Sequence, residues 1–497
     1  MSKDLWAKLT KLSGIALGAL AVGYLGVYVL QVIFRLGYPF ELEWMEGGSV
    51  EHVRRVLSGQ PLYVPPSLDF VPYIYTPLYY YVSAVFSLIL GEGFLPLRLV
   101  SFLSSLGCLA LIFLHVKGET QDPFSGLLAA GLFAAAFRAG GAWLDLARVD
   151  SLFLFLMLFA IYLTKCRTTL PSVILAGVAL GLSYLTKQVT GLFALPFLVA
   201  AFLWRGKKAL WLLCFFGAIV GASTVFFDLL SQGWYGYYVF LLSAHHTWGK
   251  AAWLSYWAKD LMGPLGPACL LALLALFPSL SGISRKNAWF YLLTVGGLVG
   301  GSWFSRLHAG GYDNVLLPAY AGIALLSGQG FSSLDRMLRT LPGREGSAFF
   351  LRLALLIQFV ILAYPPWRQI PTPQDRQAGR EFLNVLSSLQ GDVFVPYHAY
   401  LPRLAGKRSR AQAMAVYDVL RGDSGPARDR LAGEIFRAFE SRSFDFIILD
   451  GEHARIFPFD DSLKLYYRYQ GPLFSQPGVF WPITGYRTRP ELLFVPK

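Results

Sequence analysis

The sequence predicts a polytopic α-helical membrane protein with a small soluble α/β unit at its C-terminus. Three observations predict it. Of the 497 residues 55% are hydrophobic and only 15% are charged, with a mean hydropathy of +0.49, which lies outside the range of soluble chains. Apolar runs recur as far as residue 364, separated by short clusters of Lys and Arg. Beyond Tyr364 prolines and charges become frequent and no spanning run remains.

The net charge of +13 does not indicate a nucleic-acid partner, because the basic residues fall between apolar segments, where they orient helices. Membrane lipid is the expected partner. The four cysteines, Cys108, Cys166, Cys214 and Cys269, have no CxxC spacing, so neither a disulfide framework nor a zinc site is implied. The chain has no GxxxxGK[ST], no GxGxxG at a strand end and no GxSxG, which leaves nucleotide binding and serine hydrolysis without a signal.

Taken in order, the first span runs from about residue 14 to 34. A basic flank precedes it and the run is too long for a signal-peptide core, so the N-terminus is expected in the cytoplasm and the loop 37–95 outside it. Within that loop Gly47 to Leu57 reads as a helix, with Val50, Val53 and Leu57 on one side and Glu51, Arg54 and Arg55 on the other. Gly59 ends it, and the prolines that follow forbid another helix before Thr76.

Pro77 to Leu90 is apolar but short of the roughly 20 residues a span needs. If it crossed, the clusters Lys165/Arg167, Arg205/Lys207/Lys208, Arg285/Lys286 and Arg336/Arg339/Arg344 would all face outward. Read as an interfacial or re-entrant helix, it leaves every cluster in the cytoplasm, as the positive-inside rule prefers. Further spans are then expected near 96–115, 123–143, 150–164, 170–186, 189–204, 209–229, 256–279, 288–304, 312–328 and 348–364, about eleven in all. The chain divides into a transmembrane unit, 1–364, and a soluble extracytoplasmic unit, 365–497. In the latter Arg380 to Leu389 reads as an amphipathic helix, and DVFVPY, DFIILD and ELLFVP read as buried strands.

Packing gives an apolar membrane protein no reason to carry Glu41, Glu43 and Glu46 within six residues just past the first span. A single such acid is ordinarily a solvated loop residue. Three, followed by a helix and a Tyr/Pro-rich stretch, fit a general base, which needs one carboxylate with a tuned pKa. A second acidic feature, Asp145, Arg148 and Asp150 in WLDLARVDSL, lies on the same side of the membrane by the parity argument. Asp150 also suits a helix cap. Cations for a phosphate group are offered on that side by Arg148, Lys187 and Arg306, with His308 and Asn314 as further donors. Lys187 is the most informative of these, since it stands between two apolar stretches with no carboxylate close in sequence. His245 and His246 are poor metal ligands, being adjacent and without a nearby acid.

Five stretches in order, EGGSVEHVRRVLSGQPLY, YTPLYYYVSA, RVDSLFLFL, LSYLTKQVTGLFALP and DNVLLPAYAGIALL, resemble the membrane glycosyltransferases of the GT-C fold. They are similar in particular to the family related to protein O-mannosyltransferases and the lipid A aminoarabinose transferase. The resemblance implies inverting transfer of a sugar from a polyprenyl-phosphate carrier to a hydroxyl of an extracytoplasmic glycolipid, polysaccharide or protein. It maps the first-loop acid to Glu46, or to Glu43 three residues earlier, and the second-loop acid to Asp150. Lys187 and Arg306, with Arg148 and His308, would meet the lipid phosphate, and Tyr75, Tyr79, Tyr80 and Asn314 the substrate. No cofactor beyond the donor is implied, and a divalent metal is compatible with the chemistry. Gln188 replaces the family's usual glycine, and Thr76 one of its prolines. The competing class, a lipid or solute transporter without chemistry, predicts ionisable residues in mid-span, whereas here they gather at loop mouths.

Overall fold

The computed structural model describes residues 3–244, 249, 252–308, 310–340, 346–421, 425–451 and 460–497. His245 and His246 lie outside the described residues. The regular structure of the first part of the chain is helical: α1 (Lys3–Leu36), α2 (Glu46–Leu57), α3 (Leu78–Leu90), α4 (Phe94–Thr120), α5 (Pro123–Ala135), α6 (Asp150–Cys166), α7 (Leu170–Thr186), α8 (Thr190–Arg205) and α9 (Ala209–Leu230). The helices Gly263–Ala275, Arg285–Leu307, Leu317–Thr340 and Ser347–Ile361 follow. Each predicted apolar run is thus helical over most of its length.

Among the described residues five helices are long and apolar enough to cross a membrane, or six if the bent pair Ser347–Ile361 and Pro366–Ser388 counts as one. Helix α3, at 13 residues, is about 20 Å long and falls short of a hydrocarbon core of roughly 30 Å. The predicted span 123–143 is cut short. Asp122 caps α5 by accepting from the Phe124 and Ser125 amides, but the helix stops at Ala135, and residues 136–149 turn back under the first loop. Gly141 and Ala142, both at positive φ, are incompatible with a continuing helix.

In the C-terminal part a capping box between Thr372 and Asp375, with Pro373 at the first position, starts the helix Pro373–Ser388. It therefore begins a turn and more before the predicted Arg380. A four-stranded sheet of β1 (Val393–Phe394), β2 (Phe446–Asp450), β3 (Tyr467–Pro472) and β4 (Pro490–Pro496) has the order β1-β2-β4-β3. The β1–β2 pairing is parallel and the others are antiparallel. Three of these strands are the predicted ones.

The hydrophobic interior has two parts. One fills the helix bundle. The other joins Trp44, Val50, Val53, Tyr73, Tyr79 and Tyr80 of the first loop to Phe394, Tyr397, Val416 and Ile447 of the C-terminal part in one continuous cluster. The C-terminal part is therefore packed onto the loop and shares its core.

Candidate active site

The three acids after α1 are sorted into three different environments. Glu46, the first residue of α2, is fully buried. Its two oxygens accept from Arg98 Nε (3.0 Å) and Nη2 (2.6 Å) and from the backbone amides of Leu42 and Ala147 (2.7 Å each). Arg98, on α4, gives its remaining donors to the carbonyls of Tyr38, Phe40 and Arg35. Burial pushes the Glu46 pKa up, but Arg98 and the two amides outweigh it and hold the carboxyl below its ordinary value. With four donors on two oxygens, Glu46 has no lone pair for a substrate. The residue the sequence puts first as base is an anchor that pins the loop to α4 and to the Ala147 amide.

Glu41 turns toward the C-terminal part. His398 lies between two carboxylates, with Nδ1 bonded to Glu41 and Nε2 2.9 Å from Asp450 on β2. Burial alone would lower the His398 pKa, but Asp450 and Glu41 together push it up to about 10. A folded pKa above the unfolded value of about 6.5 means that this stabilisation is complete below that pH and is lost as pH rises toward 10. His398→Ala is expected to leave two buried carboxylates facing each other, at a cost of about 3–5 kcal/mol. Thermal unfolding in detergent at pH 6 and at pH 10 checks this, with the larger deficit expected at pH 6.

Glu43 faces a cavity of about 480 Å³. Its contacts are few and long: the Met45 amide at 3.2 Å and Arg148 Nη1 at 3.2 Å. Burial pushes its pKa up and Arg148 draws it down, while Glu46 and Glu41 add to the rise, leaving it at about 7. It is thus the first-loop acid that lines the cavity and is poised to change charge near neutrality.

The cavity is built by loops meeting from across the fold. Arg148 reaches Tyr75 Oη (3.1 Å) as well as Glu43, and lies against the Trp143, Tyr73 and Tyr75 rings. Asp150 sits behind this wall. It makes no helix-capping bond; its Oδ1 accepts from Lys187 Nζ (2.7 Å) and Asn314 Nδ2 (2.9 Å), and its Oδ2 from Trp143 Nε1 (2.9 Å). One carboxylate thereby fixes three cavity-lining side chains from three segments. Lys187 retains donors beyond the one given to Asp150. His308 also lines the space, its Nε2 3.1 Å from the Ser243 carbonyl. One wall is apolar, formed by Ile74, Val189, Leu192, Phe193, Val315 and Pro318.

Besides Glu46 and Asp150, three more expected site residues do not line the cavity. Arg306 spends its guanidinium on Asp260 (2.9 and 3.3 Å), Asp313 (3.2 Å) and the Gly311 carbonyl, and does not line the cavity. Tyr79 donates to the Leu97 carbonyl (2.9 Å) inside the loop core, and Tyr80 stacks on His52 with ring centres 4.7 Å apart. Packing of α3 on α2 and α4 turns both inward. Conversely, several contributors were not singled out in the sequence. The C-terminal part supplies Met414, Asp418, Arg421, Gly485 and Tyr486 to the cavity. His52, on α2, accepts the Tyr73 amide on Nε2 (2.8 Å) and meets the Gly48 carbonyl through Nδ1, which fixes a neutral tautomer and holds the segment leading to Tyr75. Arg98 had one signal, a lone charge in the apolar run FLPLRLVSF. Among the described residues no group of three or more His, Cys, Asp or Glu is placed to hold a metal.

A buried carboxylate and two cations stand at the mouth of a helix bundle, beside an apolar wall, and comparison with known proteins places this arrangement in a fold similar to that of the GT-C membrane glycosyltransferases. Residues 73–231 match the dolichyl-phosphate-mannose-protein mannosyltransferase family, which bears out the resemblance read from the sequence. The structure is similar to that of ArnT from Cupriavidus metallidurans, in the apo state and bound to undecaprenyl phosphate. Each gives a TM-score of 0.59 at 12% identity over 95% of this chain and 97% of that one. The Archaeoglobus fulgidus oligosaccharyltransferase in complex with Zn and sulfate gives a TM-score of 0.50 at 12% identity, over 93% and 73%. No curated protein sequence matches the chain.

Proposed function

We propose that the protein is an inverting glycosyltransferase that moves a sugar from a polyprenyl-phosphate carrier to a hydroxyl of an extracytoplasmic acceptor, with Glu43 as the general base. The observation that carries this reading is the placement of Glu43, at a pKa of about 7, on the same cavity as Arg148 and Lys187. The acceptor O–H proton passes to the Glu43 carboxylate as the oxygen attacks the anomeric carbon. The bond from that carbon to the phosphate oxygen breaks on the opposite face, and the lipid phosphate leaves with the electron pair. Because a hydroxyl is a far weaker acid than a carboxylic acid, proton transfer accompanies attack. Lys187 and Arg148 stabilise the charge that builds on the leaving phosphate. The undecaprenyl phosphate bound to the similar ArnT structure supports a lipid phosphate as ligand, and the apolar wall suits its tail.

Lys187→Ala is expected to lower kcat by roughly 10²–10³, since it removes a cation aimed at developing charge. Turnover measured against a panel of polyprenyl-phosphate sugars and membrane extract checks it; unchanged kcat contradicts the role. The same assay separates transfer from mere lipid movement, because a carrier without chemistry yields no glycosylated product. The proposed orientation puts the cavity loops and the C-terminal unit outside the cytoplasm, and a reporter fused after Lys497 that reads as cytoplasmic contradicts it.

A further inference from the structure

One short stretch of the C-terminal part touches three of the loops that carry site residues, those of Glu43, Arg148 and Asn314. The Ile483 and Thr484 amides both donate to the Leu42 carbonyl (2.9 and 3.2 Å). The Thr484 hydroxyl donates to the Gly141 carbonyl, in the turn that leads to Arg148. The Gly485 carbonyl accepts from Tyr312 Oη (3.0 Å), two residues from Asn314, and the Tyr486 ring lies 6.0 Å from that of Trp44. At the centre of this strap Gly485 has φ +81°, and a Cβ built on it falls 2.6 Å from Glu43 Cγ and 3.1 Å from Oε1. The backbone of residue 485 is therefore the surface against which the Glu43 side chain rests. The polar contacts of Glu43, both 3.2 Å long, are weak constraints by comparison.

We propose that Gly485 is a positioning residue, and that the strap Ile483–Tyr486 is the wall that sets the rotamer of Glu43. The C-terminal unit then completes the reaction centre, and the base is correctly aimed only while that unit is docked. This inference rests on the reading of Glu43 as base. A side chain at 485 has two effects, strain from positive φ and displacement of Glu43, and they can be separated. Gly406, also in the C-terminal part, has φ +73° with open space around it, so Gly406→Ala carries the strain alone.

The test is steady-state transfer by the full-length protein with a polyprenyl-phosphate sugar, comparing Gly485→Ala, Gly485→Asn, Gly406→Ala and Glu43→Gln. Asn tolerates the left-handed region yet still adds a Cβ. Both variants at 485 are expected to lose kcat on the order of 10²-fold, the scale of a misplaced catalytic group, with the donor KM little changed and the acidic limb of the pH profile moved. Gly406→Ala is expected to keep wild-type kcat. Wild-type kcat and pH profile in both 485 variants, or an equal loss in Gly406→Ala, overturns the inference. If Glu43→Gln itself transfers at the wild-type rate, the assignment of the base fails instead, and the two failures are distinct.

Discussion

Glu43→Gln is expected to lower kcat/KM by roughly 10²–10⁴, the usual worth of a positioned general base, while leaving the folded protein close to wild-type stability. The second half follows from burial. Glu43 is almost fully buried, and its raised pKa records that the interior disfavours its charge. A neutral amide of the same shape removes that penalty but also takes from the buried Arg148 guanidinium its ion-pair partner, so the two effects offset. Activity and stability are thus expected to move apart, as they do where a strained or desolvated site is maintained for function. Transfer assays and thermal unfolding on the same preparation check this; a variant that loses activity only because it unfolds does not support the role.

Glu46→Ala is expected to do the reverse and cost about 3–5 kcal/mol of stability, since it strands Arg98 as an unpaired buried charge. Arg98→Ala strands Glu46 and frees three carbonyls that now receive its guanidinium, so it is expected to be at least as damaging. The double replacement by apolar residues is not expected to restore the wild-type value, because those carbonyls and the Leu42 and Ala147 amides stay unsatisfied. Apparent melting temperature and the yield of folded protein in detergent measure the effect, and a Glu46→Ala protein as stable as the wild type contradicts the anchor.

The helices were legible because each is one apolar run, and the strands DFIILD and ELLFVP because they are short, β-rich and bounded by turn residues. Arg148, Lys187 and Asn314 stood out as polar groups that packing does not explain, and they meet at the cavity. The choice between Glu43 and Glu46 was not legible. Glu46 is drawn away from the cavity by Arg98, 52 positions away, and by an amide 101 positions away, neither of which leaves a local trace. The pairing of Arg306 was hidden for the same reason: its partner Asp260 lies 46 positions earlier. Tyr79 and Tyr80 read as a sugar platform because their spacing says nothing of which face of α3 turns inward. The strap at 483–486 was invisible, since it matters only through contacts with residues more than 300 positions before it, apart from Tyr312.

The pH dependence of kcat/KM for transfer from a polyprenyl-phosphate sugar tests the central claim most directly. Glu43 must be ionised to take the acceptor proton, so the profile is expected to rise through an apparent pKa of about 7 and then level off, and Glu43→Gln is expected to abolish that limb. A wild-type profile flat between about pH 5 and 8, or an acidic limb that survives in Glu43→Gln, contradicts Glu43 as the base.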